Sequence, residues 1–218
     1  MIRLASNSPR RRELLALGNW IVSSFVPDVD ETRLAGEAPA DYVLRLAESK
    51  ARAAPGSAPS GGYTVAADTA VVDGESVLGK PADADEAVQM LRRLRGRTHQ
   101  VYTGLAVLRA ASGQVLTDVC VTDVPMRDYS DAEIDAYAAS GDPLDKAGAY
   151  GIQHAGFHPV RDIAGCYASV MGLPLCHLLR VLVRLEAALQ PDLPKRCRDH
   201  LNYDCPVSAA ILRGEAVG

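Results

Sequence analysis

Asp68 stands alone in an apolar run, Val65-Ala66-Ala67-Asp68-Thr69-Ala70-Val71-Val72. Such a run suits a strand buried on both faces. An ionised carboxylate inside it is costly unless a cation or hydrogen-bond donors meet it. Asp68 is then either a structural turn acceptor or an acid mounted at a cleft, and an interrupted apolar strand favours the cleft. Cationic partners occur at suitable places. Lys50 falls inside the stripe Val43, Leu46, Ala47 and Ala54 of a helix expected over 40–54, whereas Arg45 and Arg52 fall on its opposite face. A lysine on an inward face must snorkel, pair or point into a cleft. Lys80, in Gly79-Lys80-Pro81, lies on extended backbone opposite the Asp68 strand. The upstream glycine and following Ser/Thr of a P-loop are absent there.

Near the N-terminus, Ser6 and Ser8 precede Pro9 and three arginines, Arg10, Arg11 and Arg12. Ser8 is a good N-cap and Pro9 a good first helical residue. Arginines in a first turn oppose the helix dipole, so stability does not explain them. Unpaired N–H groups, hydroxyls and guanidinium groups together suit a phosphate, against the plainer reading of a solvated basic surface. Asp30 and Glu31 belong to an acidic loop that would otherwise be merely solvated. Downstream, Asp145, Lys146, Tyr150 and Gln153 recur in a glycine-bearing stretch too often for plain core. A glutamine at such a loop edge can read a base through paired donor and acceptor contacts, although a surface amide is the commoner case.

Taken together, converging lysines and arginines with carboxylates at Asp68 and Asp30/Glu31 suit a polyphosphate ligand with a divalent metal. Carboxylates plus phosphate oxygens hold Mg²⁺, and a water activated by a carboxylate can attack phosphorus while Lys and Arg offset the developing charge. The residues by themselves do not choose the bond that breaks.

The elements that would position these groups follow from the pattern. Ile2 and Leu4, alternating with Arg3, and Ile21–Val26 read as strands around a helix from Pro9 that stops at Gly18. Asp73-Gly74 reads as a hairpin turn after the Asp68 strand. Asp83 caps a helix over 84–95, and strands over 99–108 and 115–126 pair antiparallel. Ser130 and Glu133 form a capping box for a short helix. Residues 55–62 form a Pro/Gly/Ser loop, 160–171 a strand pair around Gly165, and Gly172-Leu173-Pro174 opens a leucine-rich helix. His99 reads as a strand-start histidine rather than a metal ligand. From about Gln190 the pattern fails into a charged, proline-punctuated tail; its Cys197, His200 and Cys205 lack a recognised zinc spacing.

The 218 residues are 48% hydrophobic and 23% charged, an ordinary globular composition able to bury a core. The formal net charge of −4 argues against a nonspecific nucleic-acid binder. No apolar run approaches a membrane span. Five cysteines without regular spacing suit free thiols in a reducing, cytoplasmic setting.

Several motifs in series carry a resemblance. Leu4-Ala5-Ser6-Asn7-Ser8-Pro9-Arg10-Arg11, Glu48-Ser49-Lys50-Ala51, Ala67-Asp68-Thr69, Leu78-Gly79-Lys80-Pro81, Asp145–Gln153 and Gly172-Leu173-Pro174-Leu175 are similar, in order, to the Maf family of nucleoside triphosphate pyrophosphatases. The likeness covers residues 2 to 185. It implies a mixed α/β fold, a strongly twisted sheet with flanking helices and two lobes around a central cleft, often in a homodimer. It implies one domain over 1–189, with 190–218 an extension. It implies hydrolysis at the α-phosphorus to the monophosphate and pyrophosphate, with Asp68 as proton acceptor. Glu31, Lys50, Lys80, Ser6 and Arg11 match positions tied to metal or phosphate, with Ser8 beside them and Asp68 and Glu31 toward Mg²⁺ or Mn²⁺. Arg10, Thr69 and Gln153 match the pattern of members acting on dTTP and UTP. Members acting on 7-methyl-GTP tend to carry Trp, Gln and Glu there. The alternatives are a 7-methyl-GTP-type enzyme, or a nucleotide-binding regulator of cell division without turnover.

Overall fold

The structure is a computed structural model that describes residues 1–54, 62–187, 190–215 and 217. The loop expected over 55–62 therefore lies, except for Gly62, outside the described residues. The strands are β1 (Ile2–Ala5), β2 (Val22–Phe25), β3 (Tyr63–Asp73), β4 (Ser76–Leu78), β5 (Thr98–Arg109) and β6 (Val115–Pro125). They form one mixed sheet in the order β2-β1-β3-β5-β6, with β4 added to β3. β1 runs parallel to both β2 and β3; the β3, β5 and β6 pairings are antiparallel. The helices are α1 (Pro9–Ala16), α2 (Pro39–Arg52), α3 (Ala84–Leu94), α4 (Asp131–Ala139), α5 (Tyr167–Val170), α6 (Leu175–Arg184), α7 (Leu193–Leu201) and α8 (Ser208–Leu212). This is a mixed α/β fold with helices flanking the sheet.

The alternation along β3 distributes its residues between two layers. Ala66 joins Ala47 and Ala51 of α2, and Ala70 and Val72 join Val43. Val65 and Ala67 point the other way, into the large core with Leu14, Leu15, Leu178 and Leu182. Gly104 of β5 lies opposite Asp68. A Cβ there would sit 2.4 Å from the Val43 carbonyl oxygen, so glycine is what lets the α2 backbone press onto the sheet.

The expected local signals are in place. Ser8 caps α1, Asp83 caps α3, and Ser130 and Glu133 close a capping box on α4. The β3–β4 turn is centred one residue later than expected, on Gly74-Glu75, with Asp73 pairing Ser76. Two expectations fail. Residues 160–171 do not form a strand pair: among the described residues only the bridge Val160–Met126 is present, and Tyr167–Val170 closes a helical turn on the Cys166 carbonyl. A short apolar run carries too little periodicity to separate the two. The tail is not patternless either. Leu193, Cys197 and Leu201 recur every fourth residue, and α7 lays this stripe on the main core. Pro194 falls in its first turn, where proline is tolerated.

Candidate active site

The register leaves an opening in the sheet. On one edge of β3, β1 covers Tyr63–Val65 and β4 covers Val71–Asp73, while β5 runs along the other edge. Among the described residues, Ala66 to Ala70 thus have no strand partner on that edge. β1 ends here, flanked by parallel neighbours on both sides, a place where open α/β sheets present ligand crevices beyond the strand ends. A cavity of about 620 Å³ occupies the opening. It is lined by the Ser6–Arg12 turn, Glu31, Lys50, Thr69, Lys80 and the Asp145–Gln153 loop.

Asp68 itself is 7% exposed and sits just behind this lining. Its Oδ1 accepts a hydrogen bond from Lys50 Nζ at 2.6 Å, and the same ammonium lies 2.7 Å from Glu31 Oε1. Lys50, only 6% exposed, is thus the link through which the buried acid meets the cavity. β3 carries Asp68, and α2 positions the other two: it carries Lys50 inward, while Tyr42 donates to the Glu31 carbonyl and Arg45 binds the Thr32 carbonyl and Glu37. Arg45 holds Glu37 down to about 2. Asp30 closes a local turn onto the Thr32 N–H, so of the two acidic candidates Glu31 alone reaches Lys50.

The turn after β1 is self-braced. Ser8 Oγ accepts from the Arg11 N–H, and Ser6 Oγ from the Ser8 N–H. Arg11 donates to the Gly172 carbonyl at 2.9 Å, to Thr69 Oγ1 at 3.2 Å and to Ser6 Oγ at 3.5 Å. Burial lowers the Arg11 pKa, while Asp68 works against that shift. Gly172 has φ near +104°, and a Cβ there would crowd Arg11 and Thr69. Thr69 also bonds Thr103. Lys80 is exposed at the rim, and the Gly79 carbonyl accepts from Gly148 N–H, which ties the Lys80 segment to the Asp145–Gln153 loop.

That loop contains residues the sequence pattern marked as polar without giving them a site. Lys146 is buried and donates to Asp142 Oδ1, the Asp142 carbonyl and Asp145 Oδ1. Asp145 in turn faces Arg10 at 3.4 Å. Burial opposes the charge on Asp145, but Lys146 and Arg10 outweigh it and leave the pKa lowered. Tyr137 Oη donates to Asp142 and accepts from Gly151 N–H. Gln153 is exposed and lines the same cavity as Arg10 and Thr69. The density of charge in Asp142-Pro143-Leu144-Asp145-Lys146 was the available signal. His99 bonds Tyr150 Oη through Nε2 at 2.8 Å, and His200 pairs with Glu13 rather than with Cys197 or Cys205. Among the described residues no three His, Cys, Asp or Glu side chains converge as a metal-binding group.

Residues 1–185 match the family described as Maf-like protein. The chain belongs to the Maf-like family. A dTTP/UTP pyrophosphatase of Anaeromyxobacter dehalogenans is 50% identical to this Maf-like chain over 193 residues, 88% of this chain and 97% of that one. A dTTP/UTP pyrophosphatase of Escherichia coli O157:H7 is 46% identical over 184 residues, 84% of this chain and 92% of that one. Among solved structures, a nucleoside-triphosphatase / dITP/XTP pyrophosphatase from Mycobacterium abscessus aligns at 17% identity with a TM-score of 0.43, covering 85% of this chain and 94% of that one. That last likeness is too loose to bear on function.

Proposed function

We propose that this Maf-like chain hydrolyses dTTP and UTP to the monophosphate and pyrophosphate. The observation that carries the reading is the Lys50 ammonium held between Glu31 and Asp68 at the wall of a cation-lined cavity. Relatives near 50% identity bearing the dTTP/UTP pyrophosphatase name support it. A triphosphate entering the cavity competes with both carboxylates for Lys50. That competition frees Asp68 Oδ1 to take the proton of a water attacking the α-phosphorus. Lys80 and Lys50 then offset charge on the departing pyrophosphate. Ser8 spends its side chain on the turn, and Arg11 ties that turn to Gly172 and Thr69, so their part is to hold Ser6 and the first amides of α1 toward phosphate. Arg10, Thr69 and Gln153 face the base.

The donor set fits a divalent cation that arrives with the substrate. Two carboxylates already converge on one cationic centre, and Mg²⁺ takes one or two carboxylates with phosphates and waters rather than a protein-only cage. Asp68 and Glu31 would hold Mg²⁺ or Mn²⁺, which would supply neutralisation of phosphate charge and a more acidic water. The reading carries with it a cytoplasmic homodimer acting on free nucleotides, with neither nucleic acid nor membrane as partner. Among the described residues no helix is long and apolar enough to cross a membrane.

The test is pyrophosphate release from a panel of pyrimidine, purine and 7-methyl-GTP triphosphates with Mg²⁺ or Mn²⁺. dTTP and UTP are expected to lead in kcat/KM. A purine or methylated substrate in the lead overturns the base assignment; tight nucleotide binding without product overturns the enzyme.

A further inference from the structure

Away from the catalytic cavity, thiols far apart in sequence come together. Cys166, Cys176, Cys197 and Cys205 line one narrow recess where α5, α6 and the α7–α8 segment meet. None is in a disulfide, and Cys205 alone among them is partly exposed. Tyr203 fixes the geometry. Its hydroxyl donates to the Ile163 carbonyl at 3.0 Å and the Gly165 carbonyl at 2.9 Å, and its ring lies 5.5 Å from that of Tyr167. Those contacts bring Cys205, two residues past Tyr203, beside Cys166, the residue after Gly165. Both side chains line that same recess.

The pair is chemically unequal. The Cys166 contact, the Val207 and Ser208 N–H groups and the Arg198 charge together bring the Cys205 thiol down to about 6 despite its partial burial. Cys166 is buried, and its neighbour Cys120 first, then Cys205 and burial itself, push its thiol up. A partly exposed thiolate against a buried thiol is the arrangement of an attacking and a resolving cysteine. The alternative of a metal site finds no support, because no cysteine triple converges as a metal-binding group among the described residues. Cys205 also lies outside the 1–185 family match, so the pairing is not part of the shared catalytic domain.

We propose that Cys205 and Cys166 form a hydroperoxide-reactive dithiol that closes to an intramolecular disulfide. The Cys205 thiolate attacks the terminal peroxide oxygen, the O–O bond breaks, and the alkoxide leaves as the alcohol after taking a proton. The resulting sulfenic acid is attacked by the Cys166 sulfur; its oxygen leaves as water with the Cys166 proton. Two thiols lose two electrons, the hydroperoxide gains them, and the products are one disulfide, one alcohol and one water.

The experiment treats the full-length protein with hydrogen peroxide and maps its peptides without reduction. A loss of two hydrogens, reversed by dithiothreitol, and a linked Cys166–Cys205 peptide are expected. Cys205→Ser abolishes the link. Cys166→Ser leaves a sulfenic acid at Cys205 that a cyclic dione traps. In the unaltered protein, alkylation at pH 7 is expected to be roughly tenfold or more faster at Cys205 than at Cys176 or Cys197, a comparison that needs no variant to fold. A link between other cysteines, a link only between chains, no link, or equal alkylation of these thiols overturns the proposal.

Discussion

Lys50 makes Asp68 and Glu31 depend on one another, because each carboxylate is compensated by the same ammonium. Asp68→Asn keeps the shape and removes the proposed proton acceptor. It is expected to lower kcat by on the order of 10²- to 10⁴-fold while KM stays within about tenfold, as read by steady-state kinetics. Lys50→Ala instead strands a buried carboxylate, and chemical denaturation should show a stability loss of about 3 kcal/mol beside the loss of turnover. At the proposed base-binding end, Gln153→Glu removes the side-chain donor and leaves acceptors only. Its kcat/KM for dTTP and UTP should fall roughly tenfold or more, the scale of one lost hydrogen bond, with less effect on a substrate that presents only donors. Asp68 and Lys50 were legible in the sequence because each breaks a local rule: an acid in an apolar strand, a lysine in an apolar stripe; Glu31 and Gln153 break none and were singled out by the family resemblance. Arg11 was legible as a cation but not as a brace, since its acceptors on Thr69 and Gly172 lie 58 and 161 residues away. Lys146 hid for the opposite reason: its acceptors are near neighbours, so it reads as one charge in a charged loop.

At the level of elements, the site depends on how closely α2 rides over the sheet. Gly104→Val would drive a side chain into the Val43 carbonyl and lift α2, with Lys50, away from Asp68. The expected cost is about 1–3 kcal/mol, seen as a lower urea midpoint at unchanged slope, together with reduced kcat. The strands, capped helices and inward faces could be read because capping chemistry and period-2 or 3.6 patterns are local. Three features could not. The opening beside Asp68 depends on which strands pair where, and register is not local. The α5 turn was mistaken for strand because it is four residues long. The stripe of α7 was obscured by the prolines and charges between its apolar positions.

For the whole molecule, stability should follow two histidines. His99 and His177 are buried, and burial lowers both to about 4. An unfolded chain takes up their protons near the ordinary value of about 6.5. Between those values the unfolded state binds more protons, so unfolding free energy falls as pH drops through the window. Their stabilisation is complete above about pH 6.5 and is lost on approaching pH 4, by on the order of 3 kcal/mol at most for each. Urea melts at stepped pH should show this decline, and His99→Gln should flatten part of it. The opening beside Asp68 has a consequence for how the protein behaves in a crowd. Bare backbone on a strand invites a neighbour's strand to add on, the first step toward fibrils. Here the bare stretch is five residues long and inset between β1 and β4, whereas the outer margins of the sheet are the four-residue β2 and the eleven-residue β6. The inset gap can therefore stay open for a small guest without itself offering a template to the protein's own kind.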